Sequence, residues 1–248
     1  MKHWILALCL LLAFSAAEAA ESGQSLIVTY QVAPAQRPAF REQMLKSALP
    51  RLKGWKEQGL LKSYRVLASR YVDSGNWDFM AILDFARPED VERWKAIEQS
   101  MPAGLDSAGL ALTSAISSVP ADLIRTEGAS PAGGHSVFLA IPYEYLVAVG
   151  DYVTYVDGYT VPQFKGWIGE KILSSYALYL SRFPAGRPWN AMLLLEYRDE
   201  QGLAERDRVV QLVRSRLKEN PEWKAWADNK KSVRDERQAV VADELAGP

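Results

Sequence analysis

A gapless internal repeat constrains this chain more than any other feature. Displaced by 112 residues, positions 49–87 lie over 161–199, and 12 of these 39 pairs are identical, against roughly two or three by chance. The shared pairs are Pro50/Pro162, Lys53/Lys165, Gly54/Gly166, Trp55/Trp167, Leu61/Leu173, Ser63/Ser175, Tyr64/Tyr176, Ser69/Ser181, Arg70/Arg182, Trp77/Trp189, Met80/Met192 and Leu83/Leu195. One structural unit is therefore written twice.

The order of elements within each copy supports this. Residues 25–32 (SLIVTYQV) are β-rich, 38–58 show helical spacing with a break expected near Pro50, and 60–72 and 77–85 form a predicted hairpin around Asp73-Ser74-Gly75-Asn76. Pro88-Glu89-Asp90 opens a second helix, with acidic residues in the first turn, and 121–126 close the unit as a strand. In the second copy, 136–141 form the first strand and 145–166 are mainly helix. Residues 172–183 and 189–197 form the hairpin, 201–218 a helix, 220–231 a further helical turn or two, and 238–242 the last strand. Both copies read β-α-β-β-α-β, a split β-α-β unit with a four-stranded antiparallel sheet and both helices on one face.

Strand parity predicts a partner for the other face. Trp77, Phe79, Ala81 and Leu83 share one side and Met80 and Ile82 the other; Trp189, Ala191, Leu193 and Leu195 oppose Met192 and Leu194. Both sides are apolar, so helices should cover one and the second sheet the other. The predicted fold class is α+β, two tandem ferredoxin-like units packed sheet to sheet as an intramolecular dimeric α/β barrel. The first unit spans residues 20–127, the linker 128–135 (overlapping the small-residue stretch Glu127-Gly128-Ala129-Ser130-Pro131-Ala132-Gly133-Gly134), and the second unit 136–248.

Residues 1–19 read as a signal peptide: Met1-Lys2-His3, an apolar run from Trp4 to Phe14, and a small-x-small cleavage site at Ala17-Glu18-Ala19. The expected mature protein is exported, periplasmic or secreted, and carries no stable membrane anchor. Cleavage would remove the sole cysteine, Cys9, so no intramolecular disulfide is expected. Residues 20–130 carry 13 basic and 13 acidic side chains and the remainder 15 and 16, which leaves no basic footprint for nucleic acid.

The order of elements and the repeat resemble the dimeric α/β-barrel superfamily, which includes antibiotic-biosynthesis monooxygenases and EthD-like and NIPSNAP-like proteins. The resemblance implies a pocket between each sheet and its helices or inside the barrel. Its members range from cofactor-free oxygenases to haem enzymes, lyases and proteins without known activity, so the chemistry stays open.

Candidate ligand-binding residues follow from strand phase and from the repeat. Tyr64 and Arg70 share a strand face, as do Tyr176 and Arg182, and each arginine either binds a carboxylate or closes a structural ion pair. Trp55 and Trp167, in the repeated Lys-Gly-Trp tripeptide, cap a pocket or seal a core, and Trp77 and Trp189 complete the set. Tyr143, Tyr145, Tyr152, Tyr155 and Tyr159 crowd the first helix of the second copy and its approach, and Tyr152, Tyr155 and Tyr159, spaced i, i+3, i+7, can form a stripe for packing or for binding. His135 is the only histidine after residue 19, which excludes a multi-histidine metal site, and no cofactor is expected.

Three functions remain open: an exported protein binding a small, partly apolar molecule; a cofactor-independent oxygenase or lyase-like enzyme using a Tyr/Arg pair; and a structural envelope accessory module.

Overall fold

The computed structural model describes residues 23–73, 75–131 and 135–246. The expected signal peptide and part of the expected linker lie outside them. The first half contains β1 (Gln24–Val32), α1 (Arg37–Gln43), α2 (Leu49–Glu57), β2 (Ser63–Ser69), β3 (Phe79–Asp84), α3 (Pro88–Ser100), α4 (Ser107–Leu112) and β4 (Thr113–Gly128). The second contains β5 (Val137–Tyr145), α5 (Val149–Tyr155), α6 (Val161–Gly169), β6 (Leu173–Ser181), β7 (Ala191–Tyr197), α7 (Glu200–Ala204), α8 (Arg206–Leu217), α9 (Pro221–Val233), β8 (Arg234–Glu236) and β9 (Val240–Ala246).

The strands run in the spatial order β7-β6-β4-β1-β3-β2-β9-β5, and β5 pairs with β7 to close the ring, with β8 appended to β5. The result is a closed, eight-stranded antiparallel barrel. The two halves do not merely face each other: backbone hydrogen bonding joins them at β4–β6 and at β2–β9. This differs from the expected linker and last strands. β4 starts eight residues before the expected 121–126 and ends on Gly128, inside the stretch read as linker, while β9 runs four residues past the expected end.

The expectation of two apolar faces is met. Tyr64, Val66, Ala68, Phe79, Ala81 and Leu83 pack under the helices of the first half, and Tyr176, Leu178, Leu180, Ala191, Leu193 and Leu195 under those of the second. Ile27, Leu67, Met80, Ile82, Phe138, Met192 and Leu194 fill the barrel interior. The two indoles correct the parity argument, because Trp77 and Trp189 belong to this interior group rather than to the helix side. β3 begins only at Phe79 and β7 only at Ala191, so strand alternation does not extend back to either tryptophan.

Pro50 does not break its helix. A five-residue π-turn, Met44–Ala48, links α1 to α2, and Val156–Thr160 links α5 to α6 at the same 112-residue offset. Leu49 N–H donates to the Met44 carbonyl, and Val161 N–H to that of Val156. Pro50 and Pro162 have no N–H to return, and their rings would press on the carbonyl four residues back. Widening the preceding turn removes that clash without interrupting the helix. The expected turn or two over 220–231 is the full helix α9.

The tryptophans of the Lys-Gly-Trp tripeptides prove to be core, with their lysines exposed. Trp55 packs edge-on against Trp94 at 5.3 Å between ring centroids, and Trp167 against Phe164 at 5.0 Å. The glycines differ: a Cβ on Gly166 would collide with Val213 of α8, whereas one on Gly54 would meet only the end of Gln58 at 3.9 Å. Gly54→Ala should therefore raise stability by up to about 1 kcal/mol through helix propensity. Gly166→Ala should lower it by about 1–3 kcal/mol through overpacking. Urea denaturation of the two variants checks this, and effects of the same sign would overturn it.

Candidate functional site

The space under the helices is filled. In the second half, Tyr145, Tyr152, Tyr155 and Tyr159 form a continuous stack with ring centroids 5.0, 6.2 and 5.1 Å apart, continued by Trp223 at 5.1 Å from Tyr159. The Arg234 guanidinium lies 3.8 Å over the Tyr143 ring and donates to the Tyr155 hydroxyl at 3.0 Å. This is the packing alternative for the tyrosine stripe. Under the first half's helices, Phe40 lies 5.6 Å from Tyr30 and 4.9 Å from Phe79, while the Tyr30 hydroxyl donates to the Ala103 carbonyl at 2.7 Å. Cavities lie instead at the two mouths of the barrel.

The wider mouth encloses about 520 Å³. Its floor is Trp77, Trp189 and Met192; its rim includes Gln31, Asn76, Arg187 and Gln238. The β2–β3 and β6–β7 connections supply both indoles, and the same connections carry the exposed Tyr71, Val72 and Phe183. Neither indole N–H donates to another described residue, so two donors remain available to a ligand. Arg187 donates to the Ser118 carbonyl at 3.0 Å, and Arg237 is paired with Glu144.

The other mouth is narrower in its axial cleft, about 200 Å³ and polar, which adjoins an outer groove of about 670 Å³ past Ser63, Asp84 and Leu123. Here the inward-facing strand ends bring Arg65, Asp84 and Tyr179 together with Ser63 and Ser175, above Ile82 and Leu194. Behind this lining Glu196, 1% exposed, accepts from Ser136 at 2.9 Å, Ser175 at 2.6 Å and Ser130 at 2.9 Å. Arg65 is 3.6 Å from Glu196 and 3.0 Å from Glu244, donates to Ser130 at 2.8 Å, and lies 4.8 Å over the Phe138 ring. Asp84 accepts from Ser25 and Ser63, both at 2.6 Å. Burial raises the Glu244 carboxyl above its ordinary pKa, with Arg65 pulling the other way.

The expected Tyr/Arg pairs do not assemble. Arg70, just beyond the end of β2, is bound by Asp243 and Glu200; Arg182 is bound by Asp122 at 2.7 Å and donates to Gln24 at 2.7 Å. Both arginines take the structural alternative. Tyr64 and Tyr176 pack under the helices and touch the narrower mouth at its edge, and the Tyr176 hydroxyl meets Glu127 only at 3.5 Å. Trp55 and Trp167 belong to the helix-side cores, so of the proposed residues Trp77 and Trp189 alone share a cavity floor. Arg65, Asp84, Tyr179 and Glu196 were missed. Parity carries the signal, since two positions beyond Ile82 and Leu194 lie Asp84 and Glu196.

Among the described residues no group of three or more His, Cys, Asp or Glu side chains is arranged to hold a metal ion. No helix among them is long and apolar enough to cross a membrane.

No family model and no curated protein sequence matches the chain. Solved structures do. A candidate monooxygenase from Lactobacillus acidophilus superposes with a TM-score of 0.58 at 10% identity, covering 92% of this chain and 96% of its own. An anthrone oxidase-like protein gives 0.57 at 14% identity, covering 92% and 93%. A heme-binding protein from Thermus thermophilus gives 0.51 at 12% identity, covering 91% and 92%. At such identities the likeness is one of fold. A haem does not fit the residues present: the aromatic stack occupies the space under the second half's helices, and His135, the only imidazole among the described residues, is exposed ahead of β5.

Two variants test the buried ion group. Glu196→Ala removes the acceptor of three serine hydroxyls and one of the two carboxylates beside Arg65, leaving Glu244, and should cost about 1–3 kcal/mol of unfolding free energy; a loss no larger than that of exposed Glu236→Ala would overturn this. Because the Glu244 pKa is raised, its contribution to stability is full below the unfolded value near 4.5 and is lost as pH rises through the folded value. The stability difference between Glu244→Gln and wild type should therefore move in the variant's favour from pH 4 to pH 7 in denaturation curves.

Proposed function

We propose that this chain is an exported, soluble small-molecule-binding protein, an intramolecular pseudo-dimer of two ferredoxin-like units, whose ligand sits in the wider mouth of the barrel. One observation carries the reading. Trp77 and Trp189, identical partners in the repeat, floor one cavity of about 520 Å³, within the roughly 300–1,000 Å³ typical of small-molecule sites.

The composition of this mouth defines the ligand class. Two indoles and the flexible thioether of Met192 offer a flat, polarisable floor suited to an aromatic or otherwise planar apolar body. Free indole N–H groups, the Gln31 amide and the amide oxygens of Asn76 and Gln238, whose nitrogens donate to Asp73, then select a molecule with polar substituents at its edge. Arg187, with no acidic partner among its hydrogen bonds, favours a partial or full negative charge there. A partly apolar molecule with one polar end meets these conditions. The solved neighbours, one an anthrone oxidase-like protein and one a heme-binding protein by their own descriptions, are consistent with a fold that takes small molecules. The enzyme reading has lost its Tyr/Arg pairs to ion pairing.

Organic extraction of purified protein followed by mass spectrometry should release a bound molecule of this class, and titrating it back should quench tryptophan fluorescence. The Trp77→Ala, Trp189→Ala double variant should bind it at least about tenfold more weakly, the loss of one well-packed aromatic contact or more. No extractable molecule, together with no thermal shift across a panel of planar organic acids, would overturn the proposal. For export, the intact mass of protein recovered from the native host should correspond to a chain beginning at Ala20.

A further inference from the structure

The narrower mouth carries a second assignment, independent of the first. Ser63 and Ser175 are repeat partners and both line it, but the next inward positions break the repeat: Arg65 stands opposite Ala177, and Leu67 corresponds to Tyr179. The two polar residues that have no counterpart therefore meet at one place on the barrel axis.

Tyr179 is the informative one. It is 5% exposed and lines the cavity, yet its hydroxyl makes no hydrogen bond to another described residue. The ring is buried while the hydroxyl stays in reach of the cavity's solvent, so its O–H is a donor that a ligand displacing water can accept from. Burial, and secondarily Asp84, hold the phenol protonated, with Arg65 opposing, so it presents an O–H donor throughout the physiological range. Arg65 does not recruit an anion, because Glu244, Glu196 and Ser130 already surround its guanidinium. Asp84, which also lines the cavity, repels one. Among the serines, Thr126 and backbone that make up most of the wall, Ile82, Leu123 and Leu194 form its apolar part.

We propose that this mouth binds a small neutral ring compound bearing a carbonyl or hydroxyl oxygen, its ring against Ile82, Leu123 and Leu194 and its oxygen accepting from the Tyr179 hydroxyl. The size agrees, since a cavity of about 150 Å³ holds a benzene and this one is about 200 Å³. Asp84 keeps lone pairs beyond those used by Ser25 and Ser63, so a hydroxyl on the same ring finds an acceptor.

Cyclohexanone and benzene, a ring with the acceptor and a ring without it, are the probes. Titrated at millimolar concentrations into 15N-labelled protein, cyclohexanone should shift the amides of Ser63, Ala177 and Leu194. Tyr179→Phe, which removes one oxygen, should weaken cyclohexanone by roughly five- to tenfold and leave benzene unchanged, the worth of one hydrogen bond. Leu123→Trp, or the smaller fill Ala177→Leu should the first not fold, should abolish both. The Trp77→Ala, Trp189→Ala variant should retain both, which separates this site from the wider mouth. Equal binding of cyclohexanone by Tyr179→Phe, survival of binding in the filled variants, or a cavity holding only ordered water in the presence of either probe would overturn the assignment.

Discussion

Closure of the barrel rests on strands that each serve two partners. β4 gives residues 113–122 to β1 and residues 121–128 to β6, while β9 bridges β2 and β5. Remove either bridge and both sheets end in an open row of N–H and C=O groups, the liability that closed barrels avoid. Closure also fixes where a cavity can exist. An eight-stranded barrel is only wide enough to be filled by its own side chains, and Met80, Ile82, Phe138, Met192 and Leu194 fill it. Space is left where the strands run out, at the two mouths.

The mouths differ because different parts of the chain reach them. Irregular hairpin connections deliver the indoles to one end, free of strand parity. At the other, parity itself delivers strand-end polar residues, and burying them is costly unless every group is paired. The pairing is extensive: Arg65 from β2 meets Glu244 from β9 and Glu196 from β7, Ser175 of β6 and Ser136 ahead of β5 donate to Glu196, and Ser25 of β1 and Ser63 of β2 donate to Asp84. Such a group adds little net stability over an apolar one of equal volume. What it adds is register, since a slip of one residue between β2 and β9 would turn Arg65 out of the barrel and leave two carboxylates buried without a cation.

Much of the architecture was legible. Helices, hairpins and the two-faced apolar strands follow from periodicity, and closure into a barrel follows from the need to cover both faces. The seams were not, because residues 113–120 and 243–246 mix small, polar and acidic side chains that carry no alternating apolar signal; their pairing is decided by neighbours far away in sequence. The missed site residues follow from the same gap. Without Glu244 in a strand, Arg65 has no visible partner and reads as an exposed charge. Arg70 and Arg182 drew attention because they recur, and they recur because each holds a strand end to the adjoining one.

Recurrence marks scaffold at most positions of this chain. Trp55 and Trp167, the prolines behind the π-turns and the strand-end arginines serve the fold of both halves, while Trp77 and Trp189 recur at the floor of the wider mouth. At the narrower mouth identity is a disadvantage at positions 65/177 and 67/179, because a residue there would confront its own counterpart across a space a few side chains wide. Two arginines at 65 and 177 would repel, and two tyrosines at 67 and 179 would fill the mouth. A usable site on the axis needs unlike groups, one charged and paired, one neutral and free, opposite small or apolar positions. The Arg65/Ala177 and Leu67/Tyr179 pairs meet that requirement. At the narrower mouth the inward positions at which the two halves disagree are the ones to read for chemistry, whereas at the wider mouth the recurring indoles line the cavity.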